Sequence, residues 1–200
     1  MKKWARSEQL LDVSKYKPLV QCAGVFLFFS LTVLLSHIRI PLPYTPVPLT
    51  LQVLAVFLAG YFLSPRLAAA SMILYSIAGL SGISAFSGAS GGILALAGPT
   101  GGYIIGFIPA AWIISFLSEK KILGRMNSVL TVLSGIIVIY LFGVTHLLFY
   151  VKLTTGLTGL QLLLSSFKLG VFPFIFIDIT KGVCAASLYY GLMRGKKLIL

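Results

Sequence analysis

The stretch Val171–Leu192, VFPFIFIDITKGVCAASLYYGL, holds a single acid and a single base, Asp178 and Lys181, in an otherwise uncharged and mostly apolar run. As a helix the run is long enough to cross roughly 30 Å of hydrocarbon. A lone ionised side chain at the bilayer centre costs about 2.5–3.5 kcal/mol on insertion scales, so such groups persist when they partner each other or a ligand. Three residues apart on a helix, the two side chains share one face. They point together into a protein interior or cavity, which marks the pair as a binding-site candidate.

The rest of the chain repeats the apolar signal. Of 200 residues, 58% are hydrophobic and 10% charged, with a mean hydropathy of +1.01, far from the composition of a soluble domain. Apolar windows place spans at about 18–38, 49–64, 66–81, 99–118, 128–150 and 171–193. The expected fold is all-α, a polytopic membrane protein with six transmembrane helices. One membrane domain over 1–200 comprises a basic N-terminus (1–17), a six-helix core (18–193) and a basic tail (194–200). Prolines and glycines mark the joints. Pro41, Pro43, Pro46 and Pro48 forbid a helix between the first two spans and impose an extended segment. Ser64-Pro65-Arg66 is a tight turn, and Gly82 to Gly98 forms an uncharged Gly/Ser-rich connection.

Net charge of +12 invites a nucleic-acid reading, but the basic residues lie at the ends of apolar runs. There they set topology and meet anionic lipid headgroups, so membrane lipids are the implied partner and nucleic acid is not. With six spans, one side collects Lys2, Lys3, Arg6, Lys15, Lys17, Arg66, Lys120, Lys121, Arg125, Arg194, Lys196 and Lys197; the other has Arg39, Lys152 and Lys168. By the positive-inside rule both termini are cytoplasmic, and the proline segment and Gly/Ser loop face out. The first apolar run lacks a small-residue cleavage site, so it reads as a retained span. Thr154 to Phe167 is amphipathic and only moderately apolar, an interfacial helix ahead of the last span. Cys22 and Cys184 lie in apolar runs without partners at metal-ligand spacing and read as free thiols.

Other candidates are weaker. Gly98-Pro99-Thr100-Gly101-Gly102-Tyr103 opens the fourth span; its glycines permit close helix packing, while Thr100 and Tyr103 suit a solute cavity. Phe86-Ser87-Gly88-Ala89-Ser90-Gly91-Gly92 lacks the Lys-Ser/Thr ending of a phosphate loop and reads as a lid over an outward pocket or as plain linker. Gln52 is an amide among aliphatic neighbours, suited to another helix or to a ligand. His37 and His146 are isolated, and neither a metal site nor a catalytic dyad is indicated. No nucleophile constellation appears, so no enzyme activity, catalytic residue or cofactor is expected.

Pro46-Val47-Pro48-Leu49-Thr50-Leu51-Gln52, Leu58-Ala59-Gly60, Ser64-Pro65-Arg66, Gly98-Pro99-Thr100-Gly101-Gly102-Tyr103 with Gly106-Phe107, and Pro173-Phe174 with Asp178 and Lys181 together resemble the BioY family, the biotin-binding S components of energy-coupling-factor (ECF) transporters. The resemblance covers roughly residues 18 to 193. It implies a six-helix protein of the bacterial cytoplasmic (inner) membrane that binds biotin with high affinity from the outer side and serves biotin uptake. The pocket would lie beneath the loops between helices one and two and between three and four. Asp178 and Lys181 match the family's acid and lysine that contact the ligand's polar head. Phe86 and Tyr103 would pack on its apolar part, with Ser87, Ser90, Gln52 and Thr100 as further candidates.

The implied partners are the ECF coupling subunit and its ATPases. The first helix, however, reads Cys22-Ala23-Gly24-Val25-Phe26-Leu27-Phe28-Phe29-Ser30, with phenylalanines where the family's small-xxx-small docking pattern would stand. Phe176-Ile177 likewise replaces the usual Pro-Gly ahead of Asp178. Two alternatives stay open: an S component for another small vitamin, and a structural membrane protein in which Asp178 and Lys181 form only a buried salt bridge. Tolerance of charge reversal at the pair is expected to separate the last from a ligand site.

Overall fold

The computed structural model describes residues 13–119 and 127–192. The basic segments 1–12, 120–126 and 193–200, on which much of the charge asymmetry rests, lie outside the described residues.

Helices form where the apolar runs predict them. The chain runs α1 (Val13–His37), β1 (Arg39–Ile40), β2 (Leu49–Thr50), α2 (Gln52–Phe62), α3 (Pro65–Leu80), α4 (Ile93–Ala97), α5 (Gly101–Glu119), α6 (Asn127–Thr155), α7 (Gly159–Gly170) and α8 (Ile175–Leu192). Lys17–His37, Gly101–Glu119, Ser128–Thr155 and Ile175–Leu192 are long and apolar enough to cross a membrane. The expected second and third spans are shorter: α2 has 11 residues and α3 has 16, roughly 16 and 24 Å at 1.5 Å per residue. The second crossing starts as extended chain: the prolines hold the backbone out of helix up to Val47, and pairing with Arg39–Ile40 keeps Leu49 and Thr50 extended. The interfacial helix expected over 154–167 is α7, shifted a few residues toward the C-terminus.

The proline segment folds back as a two-stranded antiparallel ribbon pairing Arg39 with Thr50 and Ile40 with Leu49. The α2–α3 break follows from Pro65 at the first turn of α3, which forces Ser64 into extended backbone (φ −66°, ψ 158°). The Leu63 carbonyl freed at that break accepts a 2.6 Å bond from Ser115 Oγ on α5. Helices α2 and α3 pack on α5, α5 runs along α6, and α8 closes the bundle against α2 and α6.

Close approach rests on a few glycines. The ring of Phe86 lies where a Gly79 side chain would stand, and Ile114 does the same at Gly60. A Gly60 Cβ would come within 2.6 Å of Ile114 Cγ2 in a fully buried setting. Gly60→Ala is therefore expected to destabilise by about 1–3 kcal/mol through overpacking, read as a lower Tm in detergent. Gly191→Ala, with open space around it, is expected to leave Tm unchanged or slightly raised.

Candidate functional site

Asp178 and Lys181 sit on the inward face of α8, only 4% and 7% exposed, as their spacing predicts. Lys181 Nζ donates to Asp178 Oδ1 at 2.8 Å and to the backbone carbonyl of Thr50 at 2.7 Å. Tyr140 on α6 donates its hydroxyl to Asp178 Oδ2 at 2.8 Å. The pair thus ties α8 to the extended start of the second crossing and to α6. Thr50 continues the network: its hydroxyl donates to Gln52 Oε1 at 2.9 Å, and Gln52 Nε2 donates to the Tyr75 hydroxyl on α3.

All of these but Tyr75 line one pocket that opens at its mouth. Its polar wall is Asp178, Lys181, Tyr140, Thr50, Gln52, Ser87 and Thr100; its apolar wall is built from Val47, Pro48, Val53, Tyr103, Ile104, Phe107, Ile139 and Phe174. A largely apolar concavity with a few converging polar groups is the usual form of a small-molecule site. Tyr103 is held in place through its hydroxyl, which donates to the Gly170 carbonyl at 2.9 Å, and its ring meets Tyr140 edge-on at 6.4 Å.

Six of the eight residues singled out from sequence, Asp178, Lys181, Tyr103, Thr100, Gln52 and Ser87, share this wall. The other two stand elsewhere. Phe86 is buried (1% exposed) against Gly79 and Tyr75, its ring centroid 5.5 Å from that of Tyr75, so it anchors the Gly/Ser loop in the bundle. Ser90 braces the same loop, donating to the Ser87 carbonyl at 2.9 Å. Two wall groups escape sequence reading. Tyr140 looks like any core or headgroup tyrosine, and the Thr50 carbonyl is backbone, visible only once Lys181 is seen to reach it.

The hydrogen-bond capacity left over limits what such a site could hold. An ammonium carries three N–H donors and a carboxylate about four acceptor positions. Lys181 commits two donors and Asp178 accepts two bonds, so among the described residues one cationic donor and about two anionic acceptor positions stay uncommitted. Ser87 Oγ, buried in the same wall, has no hydrogen-bond partner among the described residues. A buried polar atom without a partner is costly, and a polar ligand would satisfy it.

Removing one member of a buried ion pair strands the other, at about 3–5 kcal/mol, whereas replacing both by neutral groups costs far less. Lys181→Met is accordingly expected to lower Tm in detergent more than the double change Asp178→Asn with Lys181→Met. Equal losses in the two would contradict a coupled pair.

Comparison with known proteins places the chain among transporters. The model of the BioY family matches residues 7–197. The probable biotin transporter BioY of Pyrococcus horikoshii is 43% identical over 161 residues, which cover 80% of this chain and 88% of that protein. The biotin transporter BioY of Thermotoga maritima is 37% identical over 176 residues, 88% of this chain and 94% of its own. The crystal structure of the S-component for biotin from an ECF-type ABC transporter superposes with a TM-score of 0.77 over 91% of this chain and 95% of its own, at 21% identity. That last likeness establishes a shared fold.

Proposed function

The chain belongs to the BioY family, and from that premise we propose that it binds biotin in the Asp178–Lys181 cavity and serves biotin uptake across the cytoplasmic membrane. It is a membrane transport component and not an enzyme. The relatives named as biotin transporters support the substrate, and the uncommitted bonding capacity of the cavity supports the residues.

Biotin's ureido ring presents one carbonyl acceptor flanked by two N–H donors. The free Lys181 donor suits the carbonyl, and an Asp178 oxygen suits the N–H beside it. The second N–H needs an acceptor of its own, and Ser87 Oγ, which lines the same cavity and has no partner among the described residues, is assigned to it. The thioether ring and valerate chain would lie along Tyr103, Phe107 and Val47. Burial of that apolar surface supplies most of the affinity, about 25 cal/mol per Å² before ordering costs, while the polar head fixes orientation. Thr100 and Gln52 complete the wall. Phe86 and Ser90 act one step back by shaping the loop that carries Ser87.

We further infer that both termini are cytoplasmic and that the site opens outward, which the charge asymmetry supports. Partnership with an ECF coupling subunit and ATPases fits the shared S-component fold. On α1, Phe28 turns inward and stacks on Phe62 with centroids 6.2 Å apart, while Cys22, Ala23, Phe26, Leu27 and Ser30 remain outside. A docking partner would therefore meet a face centred on Phe26, interrupting a run of small residues.

Calorimetry on the detergent-solubilised protein tests the proposal. The parent is expected to bind biotin tightly. Asp178→Asn with Lys181→Met is expected to abolish binding while keeping the fold, and Ser87→Ala to weaken it about five- to fiftyfold, the loss of one buried hydrogen bond. A folded parent that ignores biotin but binds another vitamin would overturn the substrate. Charge reversal at the pair is a poorer probe than sequence alone suggests. A carboxylate at position 181 would face the Thr50 carbonyl, acceptor against acceptor, so even a purely structural pair would not tolerate it.

A further inference from the structure

Helix α7 has three faces. Leu162, Ser166, Leu169 and Gly170 turn toward the protein, where α7 lies against α6. Leu160, Leu163, Leu164 and Phe167, at the i, i+3, i+4, i+7 spacing of one helical stripe, are 42–69% exposed on a second face. Gln161 and Lys168, seven residues apart, form an exposed polar strip on the flank between them. A helix packed only in water would not present an exposed apolar stripe besides the one that meets the protein. A spanning helix would not carry Lys168 on an open flank.

Other exposed apolar side chains flank the stripe in sequence. Phe149 (64% exposed) and Leu153 (87%) lie at the end of α6, and Phe172 (69%) and Phe176 (80%) at the start of α8; these residues flank α7 in sequence and belong to or adjoin helices that cross the membrane. Lys152, in the last turn of α6, and Lys168, in the last turn of α7, are exposed in the same stretch of chain, as cations that meet lipid phosphates would be.

The C-terminal end of α7 meets the cavity. The Leu169 carbonyl accepts from Thr45 Oγ1 at 2.7 Å, and the Gly170 carbonyl from the Tyr103 hydroxyl at 2.9 Å. Thr45 belongs to the proline segment that brings Val47, Pro48 and Thr50 to the cavity, and Tyr103 is itself a wall residue. A Gly170 side chain would collide with the Tyr103 hydroxyl, so the contact requires this glycine.

We propose that α7 is an interfacial lipid anchor: its Leu160–Phe167 stripe inserts into the acyl region beside α6 and α8, its polar flank of Gln161 and Lys168 faces headgroups and water, and its last two carbonyls hold the proline segment and Tyr103 in their ligand-binding positions. Membrane packing around α7 then bears on the site without any lipid entering it. The coupling to ligand rests on the biotin reading; the location of the helix does not.

Tryptophan quenching in vesicles separates the two. With the native Trp4 and Trp112 replaced by Phe, Leu164→Trp is expected to be quenched by phosphatidylcholine brominated on its acyl chains and shielded from iodide. Gln161→Trp is expected to show the reverse. Iodide quenching of Leu164→Trp, or its shielding from both quenchers as a second copy of the chain would cause, overturns the anchor. For the coupling, Leu160→Ser with Leu164→Ser is expected to weaken biotin binding at least fivefold in vesicles, with the parent measured alongside. Unchanged affinity in the variant beside a binding parent overturns the coupling, while a parent that does not bind biotin counts against the substrate and leaves the quenching result standing.

Discussion

One ammonium group holds the architecture of the site together. Lys181 donates both to Asp178, one turn away on α8, and to the carbonyl of Thr50 in the extended chain ahead of α2. Non-helical backbone at membrane depth is tolerated only where its polar groups are satisfied or line a cavity, and Thr50 meets both conditions. The second crossing can begin as a strand because Lys181 satisfies that carbonyl, and Lys181 can be buried because Asp178 balances its charge. Tyr140 then fixes the carboxylate from α6. Elements distant in sequence converge on one hydrogen-bonded cluster, and the cavity is the space they leave.

This dependence explains what was legible beforehand. Asp178 and Lys181 stand out because ionisable groups in an apolar run are expensive, and their shared face follows from helical spacing. Gln52, Thr100, Tyr103 and Ser87 are polar groups near span ends or in an uncharged loop, and all reach the wall. Tyr140 carries no comparable signal, since tyrosines in spans commonly serve packing, and only the orientation of α6 aims its hydroxyl at Asp178. Phe86 reads as a lid aromatic, yet the slot opened by Gly79 on α3 draws its ring into the core. The hydropathy windows also overstate the second and third helices. Apolar content cannot distinguish Leu49–Thr50 as extended chain from a first helical turn, whereas the pairing with Arg39–Ile40 and the tertiary bond from Lys181 do.

The loops divide the remaining work. The Gly/Ser connection is pinned through Phe86 and braced by Ser90, which leaves the Ser87 hydroxyl buried at the cavity without a partner among the described residues. The proline segment is pinned from the other side, where Thr45 bonds to α7. A rigid wall with a small number of unused donors and acceptors lowers the ordering cost of binding and rejects molecules whose polar pattern differs. Membership of the BioY family and the identities of the relatives point to biotin, and a cavity that holds an ammonium, a carboxylate and an unpartnered hydroxyl offers both donors and acceptors to a cyclic urea.

The most direct test compares biotin with 2-iminobiotin by calorimetry at neutral pH. The two differ in the ureido carbonyl, which becomes a protonated imine: an acceptor is lost and a positive charge is set beside Lys181. The account predicts binding weaker by about ten- to a hundredfold, since hydrogen bonds to charged groups contribute roughly 1.5–3 kcal/mol and each 1.36 kcal/mol is a factor of ten. Equal affinity for the two would contradict recognition of the ureido head by the Asp178–Lys181 pair.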